Sequence, residues 1–356
     1  MTKHSPRLPF IDALKAVALQ LIILHHLAFY GPMSDHAYSL APDLFSWMSQ
    51  HARSAVQAFL VIGGFLAARS LAPAGVLISL QPLGSLRKRY LKLVTPYLAA
   101  LLIGLACAAI ARMLMTHDSI PGRPTLPQVA AHVLLLQGIL GYEGLSAGVW
   151  YVAIDFQLFA LLLGILWLAR ALGRRRGVAV VGTLLAASLA LASLYYFNRD
   201  SAWDSWAVYF FASYALGALT YWATNQKRAA GWLLLIIVTV IAALLLDYRP
   251  RIAVALAVAM ALGLARRHGV LETWPRSHVI AYLAEISYSV FLIHFPICLL
   301  INALFSRFAP AEPGVQLVGV LLAWLASLAA GALFYHFVES PGQKGFSRPR
   351  AASGFT

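Results

Sequence analysis

Apolar runs of about twenty residues recur along the whole chain, separated by short clusters of lysine and arginine, and that alternation leaves few folds open. A run of this length suits a helix crossing the ~30 Å hydrocarbon core of a bilayer. In that core a backbone must satisfy its own hydrogen bonds, so lipid-exposed irregular structure is excluded. The runs fall at about 10–30, 52–72, 94–115, 149–169, 178–197, 206–223, 231–247, 252–265, 280–305 and 314–336. Basic clusters sit at Lys3/Arg7, Arg87-Lys88-Arg89 with Lys92, Arg170 with Arg174-Arg175-Arg176, Lys227-Arg228, Arg266-Arg267 and Lys344/Arg348/Arg350. Ten spans put every cluster on one side, which the positive-inside rule makes the cytoplasm, and both termini with it. Asp35, Asp43, Asp118, Asp200, Asp204 and Glu312 then lie on the opposite side. The expectation is an all-α, polytopic membrane protein of about ten transmembrane helices.

Composition agrees. Charged residues make up 11% of the 356, against about 25% in soluble domains, and mean hydropathy is +0.75. No polar stretch is long enough to fold separately. Residues 1–341 therefore read as one transmembrane domain, and 342–356 as a short, basic cytoplasmic tail of disordered composition. The net charge of +14 comes from short loops between spans, which argues for membrane orientation and against a nucleic-acid partner. Cys107 and Cys298 lie inside apolar runs and read as small core residues, and no metal site is expected. The first run is long, interrupted by charge and without a small-residue cleavage pattern, so it reads as a retained span. Residues 129–141 are too short to cross and read as an outer-face helix or a re-entrant piece. The inverted repeat of many transporters is not discernible.

The first span is the unusual one. It carries Asp12, Lys15, His25 and His26, and ionisable groups in a span cost roughly 2.5–3.5 kcal/mol each on insertion scales, which points to function. Asp12, Lys15, Leu19, Ile22 and His26 step by three or four and share one helix face. Lys15 and His26 lie about 16 Å apart along the axis, a cation near one membrane surface below an imidazole deep in the bilayer. His25 points about 100° away and is the weaker candidate. Asp12 is too far from His26 to orient it and reads as the partner of Lys15.

These residues resemble the opening of the acyltransferase-3 family of multipass membrane acyltransferases, roughly I-D-x-x-[RK]-x10-H, filled here by Ile11, Asp12, Lys15 and His26. Further resemblances follow in order. Residues 57–66 look like the segment F-F-x-x-S-G-F-[LM], with Gly63 at the serine and Gly64 at the glycine. Residues 87–97 resemble the basic stretch ending in P-Y, with Arg89 and Lys92 at an R-x-x-R pair. Residues 148–159 resemble W-x-L-x-x-E-x-x-F/Y, with Trp150 at the tryptophan and Asp155 at the acid. Residues 286–297 resemble I-S-Y-x-x-Y-L-x-H-x-P-[IL], placing His294, and Glu339 falls in an E-x-P that closes the pattern.

The resemblance implies transfer of an acyl group, most often acetyl, from cytoplasmic acyl-CoA to a hydroxyl of a glycan or lipid-linked saccharide. No tightly bound cofactor is implied. Lys15, Arg89 and Lys92 would hold the donor's phosphates, and His26 would serve as general base or acyl carrier, with Asp155 or His294 orienting it or the acceptor. Asp155 is expected to face the cavity of His26. Asp12, Gly64, Trp150 and Glu339 would support the site, Glu339 by pairing with Arg or Lys. The expected setting is a bacterial inner membrane and surface-polysaccharide O-acetylation. Two rivals use the same buried charge differently: a transporter or flippase of lipid-linked sugars or small anions, and a non-catalytic subunit of an export assembly.

Overall fold

The computed structural model describes residues 7–173, 177–224 and 230–342. Lys3, Arg174-Arg175-Arg176, Lys227-Arg228, Lys344, Arg348, Arg350 and the tail from 343 onwards lie outside the described residues. Among the described residues the fold is helical, without a strand. The chain opens with α1 (Pro9–Phe29), the short α2 (Pro32–Ala37), α3 (Pro42–His51), α4 (Val56–Leu71) and the long α5 (Pro82–Leu114). There follow α6 (Leu126–Val133), α7 (Val149–Leu172), α8 (Val178–Tyr195), α9 (Ala207–Ala223) and α10 (Gly231–Leu246). The last part holds α11 (Pro250–Arg267), α12 (His278–Glu285), α13 (Ser287–Phe308) and α14 (Pro313–Phe334), continued by a π-helical turn at Tyr335–Glu339. Proline starts α1, α2, α3, α5, α11 and α14, where its missing N–H costs nothing and its fixed φ favours the first turn.

Seven of the described helices are long and apolar enough to cross a membrane: α1, α3 run into α4, α5, α7, α8, α13, and α14 with its π turn. The other three expected spans are α9 with 17 residues, α10 with 16 and α11 with 18, so ten is an approximate count. The span expected at 280–305 is broken, with α12 ending at Glu285 and α13 starting at Ser287. Lipid is the natural surround. On α10 alone, Leu234, Leu235, Val238, Leu245 and Leu246 are exposed, as are Leu321, Leu322 and Leu325 on α14. A contiguous apolar surface of that extent suits hydrocarbon and not water.

Basic residues are stitched into one end of the bundle. Arg7 donates to the carbonyl of Ala281 at 2.5 Å and Arg170 to that of Ser79 at 3.1 Å, while Arg266 donates to the carbonyl of Tyr221. By charge bias this is the cytoplasmic end. α5, at 33 residues and about 50 Å, exceeds the hydrocarbon thickness, and its exposed Arg87 and Lys88 lie near this end.

Two features set the positions of the chemical groups. The first is the contact of α4 with α9. A methyl group on Gly64 would run into the carbonyl oxygen of Tyr214, and one on Gly217 into that of Val61. The two backbones thus meet at reciprocal glycines, and Ser213 Oγ donates to Gln57 Oε1 at 2.6 Å beside them. The second is the stretch from α6 to α7, which enters the bundle. His132 and Leu135 are fully buried, Tyr90 of α5 donates to the carbonyl of Val133 at 2.7 Å, and Gln157 of α7 donates to that of Leu135 at 2.9 Å. Of the two readings of 129–141, the re-entrant one describes this geometry: irregular backbone is kept inside because side chains satisfy it. Because the chain turns inside the bundle, α7 starts there too, with Gly148 against the ring of Phe291 in α13.

Gly64→Ala and Gly217→Ala are expected to destabilise by about 1–3 kcal/mol each through overpacking. Gly164→Ala, where nothing lies within 4 Å of the added carbon, should be neutral. Thermal unfolding of the purified variants checks both.

Candidate active site

Four polar segments converge at the basic end around a cavity of about 540 Å³. α1 contributes Asp12 and Lys15, α5 contributes Arg89 and Lys92 one turn apart, α7 contributes Asp155, and the π turn contributes Glu339. Arg7 and Glu285 stand at the rim. The i→i+5 geometry of the π turn rotates the end of the last span, and there Glu339 is buried.

The cavity carries charges of both signs. Arg7 Nε donates to Asp12 at 2.7 Å, and Arg89 donates to Asp155 at 2.5 Å. Ser289 Oγ donates to Glu339 at 2.5 Å. Lys15 and Lys92 line the same cavity as these carboxylates. Arg89 Nε is buried without a partner among them, its guanidinium 5.5 Å from the ring centre of Phe159. The lining sets Arg7, Lys15, Arg89 and Lys92 against Asp12, Asp155, Glu285 and Glu339, and the two ammonium groups with the Arg89 Nε–H are donors that suit phosphate oxygens.

One expectation changes here and two are extended. Asp12, expected to partner Lys15, also accepts from Arg7, and both line the cavity with Lys15. Glu339 accepts from a serine hydroxyl and shares the cavity with Lys15 and Lys92. Asp155 does not join His26; it is the partner of Arg89 and a wall of the basic cavity. The cause is the side it takes on α7: with Tyr151 and Val152, one turn earlier, it lines the cavity beside Arg89. Gly63, at the position where the resemblance has serine, faces this pair. A carbon added there would sit 3.4 Å from Asp155 Oδ1 and 3.1 Å from the ring of Tyr214.

His26 meets His294 instead. Their Nδ1 and Nε2 atoms are 2.5 Å apart, with ring centres 4.8 Å apart and planes 8° apart, so the bond lies in the plane of both rings. The hydrogen-bond pattern fixes the protons. His294 Nδ1 faces only carbonyls, those of Phe291 at 2.8 Å and Val290 at 3.1 Å, so it carries a hydrogen and donates. The Nε2 of neutral His294 is then an acceptor, and His26 Nδ1–H donates to it. His26 Nε2 is left with its lone pair, the atom able to take a proton or attack a carbon. His26 is 8% exposed and His294 0%, so His26 is the reachable member and His294 the one that positions it. His25 turns away, with Nδ1 3.3 Å from the carbonyl of Met48 in α3.

An aromatic layer missing from the sequence reading separates the cavity from the histidines. Phe59, Tyr151 and Phe291 all line the cavity, with ring centres 5.3 to 6.4 Å apart. Phe291 lies 6.0 Å from the ring of His294. In the sequence these are ordinary span aromatics, and only their convergence from α4, α7 and α13 marks them.

A family model described as an acyltransferase domain matches residues 8–336. The chain belongs to the acyltransferase-3 family. No curated protein and no solved structure matches it. It is an integral membrane acyltransferase.

In histidine-¹⁵N-labelled protein, a signal pair for protonated Nδ1 and unprotonated Nε2 should vanish in His26→Gln. In His294→Leu the His26 signals should move towards a mixture of tautomers. Unchanged His26 signals in His294→Leu would refute the assignment.

Proposed function

We propose that this protein is an O-acyltransferase carrying an acyl group, most simply acetyl, from cytoplasmic acyl-CoA to a hydroxyl of a glycan or lipid-linked saccharide in a bacterial inner membrane. The observation that carries the reading is a cavity that gathers Lys15, Arg89 and Lys92 one aromatic layer away from an available imidazole. Acyl-CoA is anionic at its nucleotide end and narrow along its pantetheine arm. Lys15, Lys92 and the free edge of Arg89 suit the phosphates. The arm would pass Phe59, Tyr151 and Phe291 towards His26.

In the proposed step, His26 Nε2 takes the proton of the acceptor hydroxyl as its oxygen attacks the thioester carbonyl. A C–O bond forms, the C–S bond breaks, and the coenzyme leaves as a thiolate that recovers the proton from His26. His294 holds the transient imidazolium through Nδ1–H. General base catalysis of this kind contributes about 10²- to 10⁴-fold.

Donor binding and turnover can be measured separately on protein in nanodiscs with radiolabelled acetyl-CoA. Wild type should bind the donor. Lys15→Ala/Lys92→Ala should weaken binding by about tenfold or more, a change of about 1.4 kcal/mol per decade. His26→Ala should bind within about twofold of wild type and lose about 10²- to 10⁴-fold in turnover. Wild type that binds no acyl-CoA would overturn the donor, and undiminished turnover in His26→Ala would overturn the base. In the first case a transporter or flippase becomes the better reading.

A further inference from the structure

α7 walls a second cavity on its other side. Tyr151, Val152 and Asp155 face the basic cavity, whereas Trp150, Ala153, Ile154 and Gln157 face a space of about 440 Å³ at the end of the bundle away from the basic clusters. Its remaining walls come from chain entering the bundle at that end: Arg53 ahead of α4, the loop at 137–144, the loop before α9, and the first turns of α9 and α11. The volume is in the range of small-molecule sites, about 300–1,000 Å³.

The lining has the chemistry of a sugar site. Trp150 is 39% exposed, with the ring of Phe210 at 5.5 Å, giving an apolar surface against which the C–H face of a pyranose can stack. Gln137, a lining residue, is 2% exposed; its Nε2 donates to the carbonyl of Val149 at 3.3 Å, and its buried Oε1 has no partner among the described residues. A buried acceptor left open costs about 1–3 kcal/mol until a hydroxyl or amide of a ligand reaches it. Asp204 adds a carboxylate, which accepts from hydroxyls. Two guanidinium groups outweigh it. Arg251 is fixed by Asn198 and by the ring of Tyr209 at 4.8 Å, and Arg53 makes no ion pair among the described residues. Aromatics that only anchor a protein at the membrane interface have no need of a cavity holding a buried open acceptor and two arginines.

We infer that this cavity binds a saccharide bearing an acidic group, its ring on Trp150, its hydroxyls on Gln137 and Asp204, and its anion on Arg53. Its role as the acceptor site rests on the acyltransfer reading above; saccharide binding does not. The location fits that role. Gly148, two residues before Trp150, abuts Phe291: a carbon added there would be 3.3 Å from the ring. The same ring bounds the basic cavity, and the carbonyl of Phe291 receives Nδ1–H of His294 at 2.8 Å. The walls of both cavities and the histidine pair thus meet at one side chain.

The test is equilibrium binding of fluorescently labelled tetragalacturonate and of neutral cellotetraose to the full chain in nanodiscs, since sugar-headed detergents would compete. The acidic probe should bind more tightly than the neutral one. Trp150→Ala should weaken both probes by about tenfold, and Arg53→Gln the acidic probe alone by a similar factor. Gln137→Leu should weaken both. Trp206→Ala, an interfacial tryptophan of 43% exposure that does not line the cavity, should bind as wild type does. Thermal unfolding confirms that each variant is folded. Wild type that binds neither probe, or binding that survives Trp150→Ala and Arg53→Gln, overturns the site. Equal binding of both probes overturns the acidic assignment. Acetyl-CoA binding, measured on the same samples, separates the two proposals: saccharide binding without donor binding sinks the donor and leaves the site standing.

Discussion

Hydrocarbon offers no hydrogen bonds, so each polar group of this chain within the membrane must be answered by another part of the chain or by a ligand. That constraint explains why the re-entrant stretch is met by Tyr90 and Gln157, why Arg89 carries Asp155, and why two imidazoles share one in-plane bond. It also makes the exceptions informative. In a soluble protein an unpaired lysine is solvated and unremarked. Within this bundle Lys15, Lys92 and the open edge of Arg89 are instead gathered around one cavity, together with Asp12, Asp155 and Glu339.

Much of this was legible in the sequence because membrane helices write their positions plainly. The length of the apolar runs and the side taken by the basic clusters gave the helical class, and the period of α1 put Lys15 and His26 on one face. Gly64 was named as a residue supporting the site, and α9 presses its backbone there. His294 was a candidate to orient His26, and the two side chains touch. The partners of the acids were out of reach. Asp155 was expected beside His26 because α7 was assumed to begin at the outer surface. Which side of α7 meets Arg89 of α5 is a tertiary fact without a local signal. That Arg7 also reaches Asp12 was out of reach for the same kind of reason, since Arg7 is placed by its bond to the carbonyl of Ala281 in α12.

The histidine pair differs from the more familiar arrangement of an imidazole backed by a carboxylate. A neutral acceptor fixes the tautomer and the ring plane, but it stabilises a developing positive charge less than a carboxylate does. The compensation is in placement. A carboxylate at this depth would itself require a counter-charge, whereas His294 needs only the two carbonyls that α13 supplies from its own preceding turn. Orientation is obtained here without adding net charge to the bilayer interior.

The two-sided use of α7 has a thermodynamic consequence. One helix carries the acid that restrains Arg89 on one face and the tryptophan that borders the opposite cavity on the other. A ligand that competes with Asp155 for the guanidinium loosens a tie between α5 and α7, and any resulting shift of α7 alters the shape of the space behind it. Linkage is reciprocal: whatever factor occupancy of the first space applies to affinity in the second, occupancy of the second returns to the first. A rigid partition would keep two compartments independent, whereas a partition that is itself a restrained helix makes the filling of each a condition sensed by the other.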